Sequence, residues 1–158
     1  MFRANDSKEL LAYIIRKCAQ YGYKISYTKC QKLMYCCYGA YLAQFGKRLV
    51  AEHPHAWSYG PAFPRAFNAH HKGRIDLDAP TFVDALPQEE KDLVDGAIQH
   101  FGQYNATSLT NWSHLQGSPW DVTTMGGKKL YDAISDVLIG DYFKNNVIVS
   151  DSQQASAT

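Results

Sequence analysis

The sequence predicts a mainly α fold: one compact helical domain of five to seven helices with a minor β-hairpin element. Three observations carry this. Apolar side chains recur at helical spacing in separate stretches, at residues 10–18, 30–42 and 93–101 among others. Capping side chains open many of these stretches and glycines close several. The length of 158 residues suits one domain, which at this size buries roughly 70% of the surface its unfolded chain exposes. The domain is expected over residues 1–150. Residues 151–158, Asp-Ser-Gln-Gln-Ala-Ser-Ala-Thr, hold too few apolar groups to pack and are expected to form a disordered tail.

Asp6-x-x-Glu9 reads as a capping box ahead of Leu10, Leu11, Ile14, Ile15 and Cys18, so the first helix is expected at residues 7–20. Gly22 ends it, since glycine takes the left-handed conformation without strain. Ser26 or Thr28 opens the second helix, with Thr28-x-x-Gln31 as a capping box. Its stripe is Cys30, Leu33, Met34, Cys37, Tyr41 and Leu42, and Gly46 closes it. Leu49-Val50 and His55-Ala56-Trp57 suggest a small hairpin or two extended arms, followed by a turn at Gly60-Pro61. A helix restarts near Pro64 and runs to about Lys72, with Gly73 behind it. Thr81-Phe82-Val83 is a short extended candidate.

Pro87 followed by Glu89 and Glu90 marks another helix start, with proline in the first turn and carboxylates at the positive end. Leu93, Val94, Ala97, Ile98, Phe101 and Tyr104 form its stripe. Thr107 is expected to cap a helix over residues 109–116. Ser118-Pro119-Trp120 reads as a rigid aromatic turn, and Gly126-Gly127 as a flexible connection. Ser135-Asp136 opens a last helix through Phe143.

Composition excludes several classes. A formal net charge of +1 gives no whole-chain electrostatic footprint for nucleic acid, which counts against a DNA-binding autoregulator. No apolar run approaches the 18 residues of a membrane span, so a cytoplasmic protein is expected. The four cysteines, Cys18, Cys30, Cys36 and Cys37, read as small buried hydrophobes of a reducing compartment. The adjacent pair lies about 100° apart on a helix and is poorly placed for a disulfide.

Catalytic patterns are weak. His53 and His55 beside Glu52, with His114 further on, are the residues of an alternative reading as a metal-dependent or Cys/His hydrolase. His-x-His is a low-specificity spacing, and paired Cys-x-x-Cys is absent. Ser118 sits on no nucleophile elbow, and Gly126-Gly127-Lys128-Lys129 lacks phosphate-loop spacing. Thiols on a core stripe are inert, because burial disfavours the thiolate. No catalytic residue, cofactor or metal is therefore expected.

The densest signal is aromatic. Tyr23, Tyr27, Tyr35, Tyr38 and Tyr41 lie on or just before the second helix, and Trp57-x-Tyr59-Gly60-Pro61 follows closely. Tyrosine joins a large apolar ring to a polar tip, which suits a surface that must be adhesive yet soluble.

These residues carry a family resemblance. Lys29-x-Gln31-Lys32-Leu33-Met34-Tyr35, Gly39-x-Tyr41-Leu42-Ala43, Gly46-Lys47-x-Leu49 and Ala56-Trp57-x-Tyr59-Gly60-Pro61 together resemble the Panacea domain, the SocA-like antitoxin domain often found in prophages. Leu109, His114 and Ser118-Pro119-Trp120 resemble that family's later block, so the likeness spans roughly residues 9–143. Ala62-Phe63-Pro64 replaces the valine common after Gly-Pro, and Cys36-Cys37 replaces a pair that is often aromatic or small. The resemblance implies a helical protein without cofactors that neutralises a toxin encoded by a neighbouring gene. It implies direct binding and occlusion, with delivery to a protease or chaperone as a further route. A phage-encoded binding protein with another target is the remaining alternative. Tyr35, Tyr38, Trp57, Tyr59 and Trp120 are the expected aromatic partner contacts, with Lys32 and Arg65 as a charged rim.

Overall fold

The computed structural model describes residues 5–147. The expected domain edge at residue 150 and the tail of residues 151–158 lie outside them. Seven helices and one two-stranded antiparallel sheet make up the described residues. The mainly helical fold with a small hairpin is as the sequence predicts. No described helix is long and apolar enough to cross a membrane.

Helix α1 (Ser7–Tyr21) is capped by Asp6, whose carboxylate accepts from Lys8 N at 2.9 Å, and Gly22 closes it at φ 75. The capping box does not form. Glu9 instead accepts a hydrogen bond from Phe82 N at 2.9 Å and ties α1 to a distant loop. Helix α2 (Tyr27–Phe45) is capped by Ser26, and Gly46 ends it at φ 68. The expected Thr28–Gln31 box is likewise absent, because the Gln31 carbonyl binds Phe63 N at 2.7 Å.

α2 is the axis of the molecule. Every residue from Lys29 to Tyr41 is buried, so it carries no single stripe and has no solvent face along this length. A helix apolar on all sides belongs at the centre of a fold. It packs against α1, α3 (Pro64–His71), α4 (Gln88–Gly102), α5 (Ala106–Ser113) and α7 (Asp136–Asn146). The polar side chains on this buried stretch act as interior ties. Lys29 Nζ donates to the carbonyls of Lys24 and Gly102, each at 2.7 Å. Gly39 lets α7 approach closely, since a Cβ there would stand 2.2 Å from the Phe143 ring.

The hairpin pairs β1 (His55–Trp57) with β2 (Gly60–Ala62), so Ser58 and Tyr59 form its turn and Gly60-Pro61 is strand, not turn. The other edge of β1 is covered by residues 131–134. Ala56 N donates to Asp132 O at 2.9 Å, and Tyr131 N donates to Ala56 O at 2.7 Å. Leu49-Val50 takes no part in the sheet.

Three further expectations are corrected. Thr81-Phe82-Val83 is a set of turns, because the Asp84 carboxylate gathers Thr81 N and Oγ1 at 2.8 and 3.0 Å. Asn105, not Thr107, caps α5. Ser118-Pro119-Trp120 is the start of α6 (Pro119–Thr124), with Ser118 as cap and proline at the first helical position. Ser135 caps α7 as expected.

All four cysteines are buried and unpaired. Burial raises every thiol, Cys30 to about 12, which keeps them protonated and inert.

Candidate functional site

Of the expected contact residues, the fold brings Lys32, Trp57, Tyr59 and Trp120 together at the hairpin. α2 supplies Lys32, which is 1% exposed and donates from Nζ to Pro61 O at 3.0 Å. Its neighbour Gln31 holds Phe63 N, so two consecutive side chains of α2 grip the exit of β2. From the other side, the Trp120 indole donates to Trp57 O at 2.7 Å while its ring stacks on His114 at 3.8 Å. The hairpin is therefore fixed through its backbone by three interior side chains, and its tip is left free. Tyr59 at that tip is 63% exposed.

Gly60 makes this clamp possible. Its φ of 112 suits glycine, and a Cβ would lie 2.6 Å from both Lys32 Cε and Ser113 Oγ. A pocket of about 240 Å³ opens beside it, between the hairpin, the first turns of α2 and α3. Trp57, Tyr59 and Phe67 form its aromatic walls, and Thr28, Gln31 and Lys32 also line it. The aromatic surface continues outward. Trp57 meets Phe67 edge-on at 5.2 Å, and Tyr27 lies 4.5 Å from His70 and 5.3 Å from His71.

Lys32 is not a rim residue. Burial lowers its ammonium to about 8, against a small opposing influence of Cys36. Burial likewise lowers His114, with Lys32 nearby adding to the effect.

Tyr35 and Tyr38 do not join the surface. Tyr35 is buried with its ring 5.3 Å from Phe143. Tyr38 is buried too, and its hydroxyl donates to Asp136 Oδ1 at 2.6 Å. Because α2 is enclosed on every side from Lys29 to Tyr41, a tyrosine on that stretch meets another element whichever way it points. Trp120 is also mostly buried, so it supports the hairpin from below. Arg65 is exposed but lines a separate concavity, where it lies 3.2 Å from Asp6. Phe67 is not among the residues the sequence points to, and Gln31 and Gly60 appear there only as a capping-box residue and a turn residue, not as parts of this site.

The residues of the hydrolase reading do not converge. Glu52 accepts from Ser7 Oγ at 2.6 Å and from the amides of Arg65 and Ala66, which caps α3. His53 lies 3.5 Å from Asp136, His55 contacts Tyr131 O at 3.0 Å, and His114 stacks under the hairpin. Among the described residues, no three His, Cys, Asp or Glu side chains group as metal ligands.

The family model for the SocA-like antitoxin Panacea domain matches residues 30–121, more than half of the chain. The chain belongs to the SocA-like Panacea-domain family. The matched span of this Panacea domain holds Lys32, the whole hairpin, α3 and Trp120, which is the clamp just described. Antitoxin SocA of Caulobacter vibrioides is 28% identical over 134 residues, covering 77% of this chain and 71% of that protein. No solved structure matches the chain.

Proposed function

We propose that this Panacea domain is an antitoxin that neutralises a cognate protein toxin, the product of a neighbouring gene, by binding it and occluding its working surface. Binding is the whole activity, without catalysis or a cofactor, and it takes place in the cytoplasm. Four unpaired buried cysteines agree with a reducing compartment. The observation that carries the binding reading is the exposed Tyr59 beside Trp57 on a hairpin held from within. Tryptophan and tyrosine anchor interfaces because they bring large contact area with few torsions to freeze. A tip clamped through its backbone loses little further freedom on binding, which favours affinity. Of the contacts expected from the sequence, Trp57 and Tyr59 are retained at the centre of the surface and Arg65 outside it.

Co-expression with the neighbouring gene tests this. The neighbour alone should arrest growth, and growth should return with a stable complex when both are made. Tyr59→Ala or Trp57→Ala should weaken the complex about 30-fold, the ~2 kcal/mol typical of an interface anchor. Tyr59→Ala should also leave the melting temperature within a degree or two. A harmless neighbour without a complex would refute the antitoxin reading. A toxin bound equally well by both variants would move the contact surface off the hairpin.

A further inference from the structure

Among the described residues, two that are not glycine hold a positive φ, Met125 at 54 and Tyr131 at 78. The left-handed region crowds the Cβ of any L-residue and suits a bulky aromatic least. Met125 has a local reason to be there. It closes α6, where a left-handed residue lets the last carbonyls find partners, and Gly126 N completes the cap on Asp121 O at 3.0 Å. Tyr131 ends no helix, since it lies between α6 and α7.

What Tyr131 does for the fold it does with its main chain. Its N–H donates to Ala56 O at 2.7 Å, and its carbonyl oxygen lies 3.0 Å from His55 Nδ1. Glycine would make both contacts with a relaxed backbone. The side chain adds little to the interior, being 64% exposed. The chain thus holds a large ring in a conformation that resists it, at a place where packing has no need of the ring.

The surroundings of the ring point to its use. Antiparallel pairing of His55 with Ala133 sets Tyr131 level with Trp57. Tyr59 at the hairpin tip and Tyr131 beyond the covered edge of β1 therefore bracket the half-buried Trp57. Each partner in a stable interface buries about 800 Å². A single ring falls far short of that, so it cannot hold a second copy of this chain by itself and belongs to a larger contact. The surface it adjoins is the hairpin, and its hydrogen bonds to β1 fix it to that surface.

We propose that Tyr131 is a contact residue for the bound toxin, laying its ring on an apolar patch of that protein and extending the Trp57–Tyr59 surface across the outer edge of β1. The left-handed backbone persists because it aims the ring outward. This rests on the antitoxin reading and adds a contact beyond residues 30–121, the span of the family match.

The test uses the full chain and the co-purified toxin, with affinity measured by calorimetry and melting by circular dichroism. Tyr131→Gly should melt no lower than the parent, because relief of strain offsets the added freedom of the unfolded chain. It should nevertheless bind the toxin about tenfold more weakly, as for a moderate interface anchor. Tyr131→Ala keeps the strain and loses the ring, so it should lose the same affinity while melting below Tyr131→Gly. Tyr131→Phe keeps the ring and should bind nearly as the parent does. A Tyr131→Gly or Tyr131→Ala variant that binds like the parent would overturn the proposal. So would a Tyr131→Gly variant that melts well below the parent, since the ring would then be a packing group. Self-association of the parent that vanishes in Tyr131→Gly would assign the ring to a second copy and overturn the toxin contact. In each of these cases the parent complex leaves the antitoxin reading standing. Absence of any complex with the parent protein would instead refute that reading, and the Tyr131 contact with it.

Discussion

Gly60 carries the tightest local constraint at the hairpin. Its positive φ and the two atoms 2.6 Å from a hypothetical Cβ act together, and one of those atoms belongs to the side chain that anchors β2. Gly60→Ala should cost ~2–4 kcal/mol, from backbone strain and from displacing Lys32. Urea denaturation measures this directly; a loss under ~0.5 kcal/mol would mean that the hairpin shifts without resistance. The residue scale is also where the sequence was least legible. Lys32, Tyr35 and Tyr38 look like surface groups because periodicity assigns a buried face by contrast with an exposed one. On a helix enclosed on all sides that contrast vanishes, and a buried lysine bonded to a carbonyl cannot be told from a solvated one. Trp57 and Tyr59 lie close together in the chain, so their proximity at the hairpin is legible, with Tyr59 at the exposed tip and Trp57 on the adjoining strand. Gln31 was read as part of a capping box. Its actual partner, Phe63 N, lies 32 residues away and leaves no local trace.

At the scale of elements, the packing of α2 on α7 depends on a single missing side chain. Phe143 occupies the space over Gly39 so closely that an added methyl would overlap the ring. Gly39→Ala gains helix propensity of ~1 kcal/mol but should lose several times that through the clash. The net expectation is a destabilisation of about 2–3 kcal/mol by thermal or chemical melting. A more stable variant would show that α7 can slide aside. Most element boundaries were readable for a physical reason: Asp6, Ser26, Ser135, Gly22 and Gly46 act within one turn of their own position. The errors share the opposite cause. Thr81-Phe82-Val83 has strand composition, but the nearby Asp84 carboxylate folds it into turns. The start of α6 was hidden because Ser-Pro-Trp suits both a turn and a capped helix.

For the whole molecule, the buried ammonium of Lys32 couples stability to pH with a definite sign. Its folded value of about 8 lies below the usual 10.5, so between these values the unfolded chain holds the proton more tightly. Stability therefore rises with pH across this window, and below pH 8 the group imposes a constant penalty of roughly 3 kcal/mol. Lys32→Met removes that penalty along with the bond to Pro61. The stability difference between parent and variant should accordingly shift by about 2 kcal/mol in favour of the parent from pH 7 to pH 9.5. The comparison cancels the tyrosines, whose raised values act with opposite sign only at higher pH. A difference that stays flat would mean that Lys32 titrates as it does in water.

The two-residue turn at Ser58 and Tyr59 has one more consequence. Both side chains are exposed, while the strands on either side are secured by Lys32, Gln31 and Trp120 through main-chain atoms. Main-chain anchoring is indifferent to what the turn displays. Substitutions at these two positions can therefore alter specificity without passing through an unfolded intermediate, much as an antibody loop varies on a constant framework. On the proposed antitoxin reading, a lineage pursued by changing toxins would find here a paratope of two residues, open to drift and to saturation mutagenesis alike.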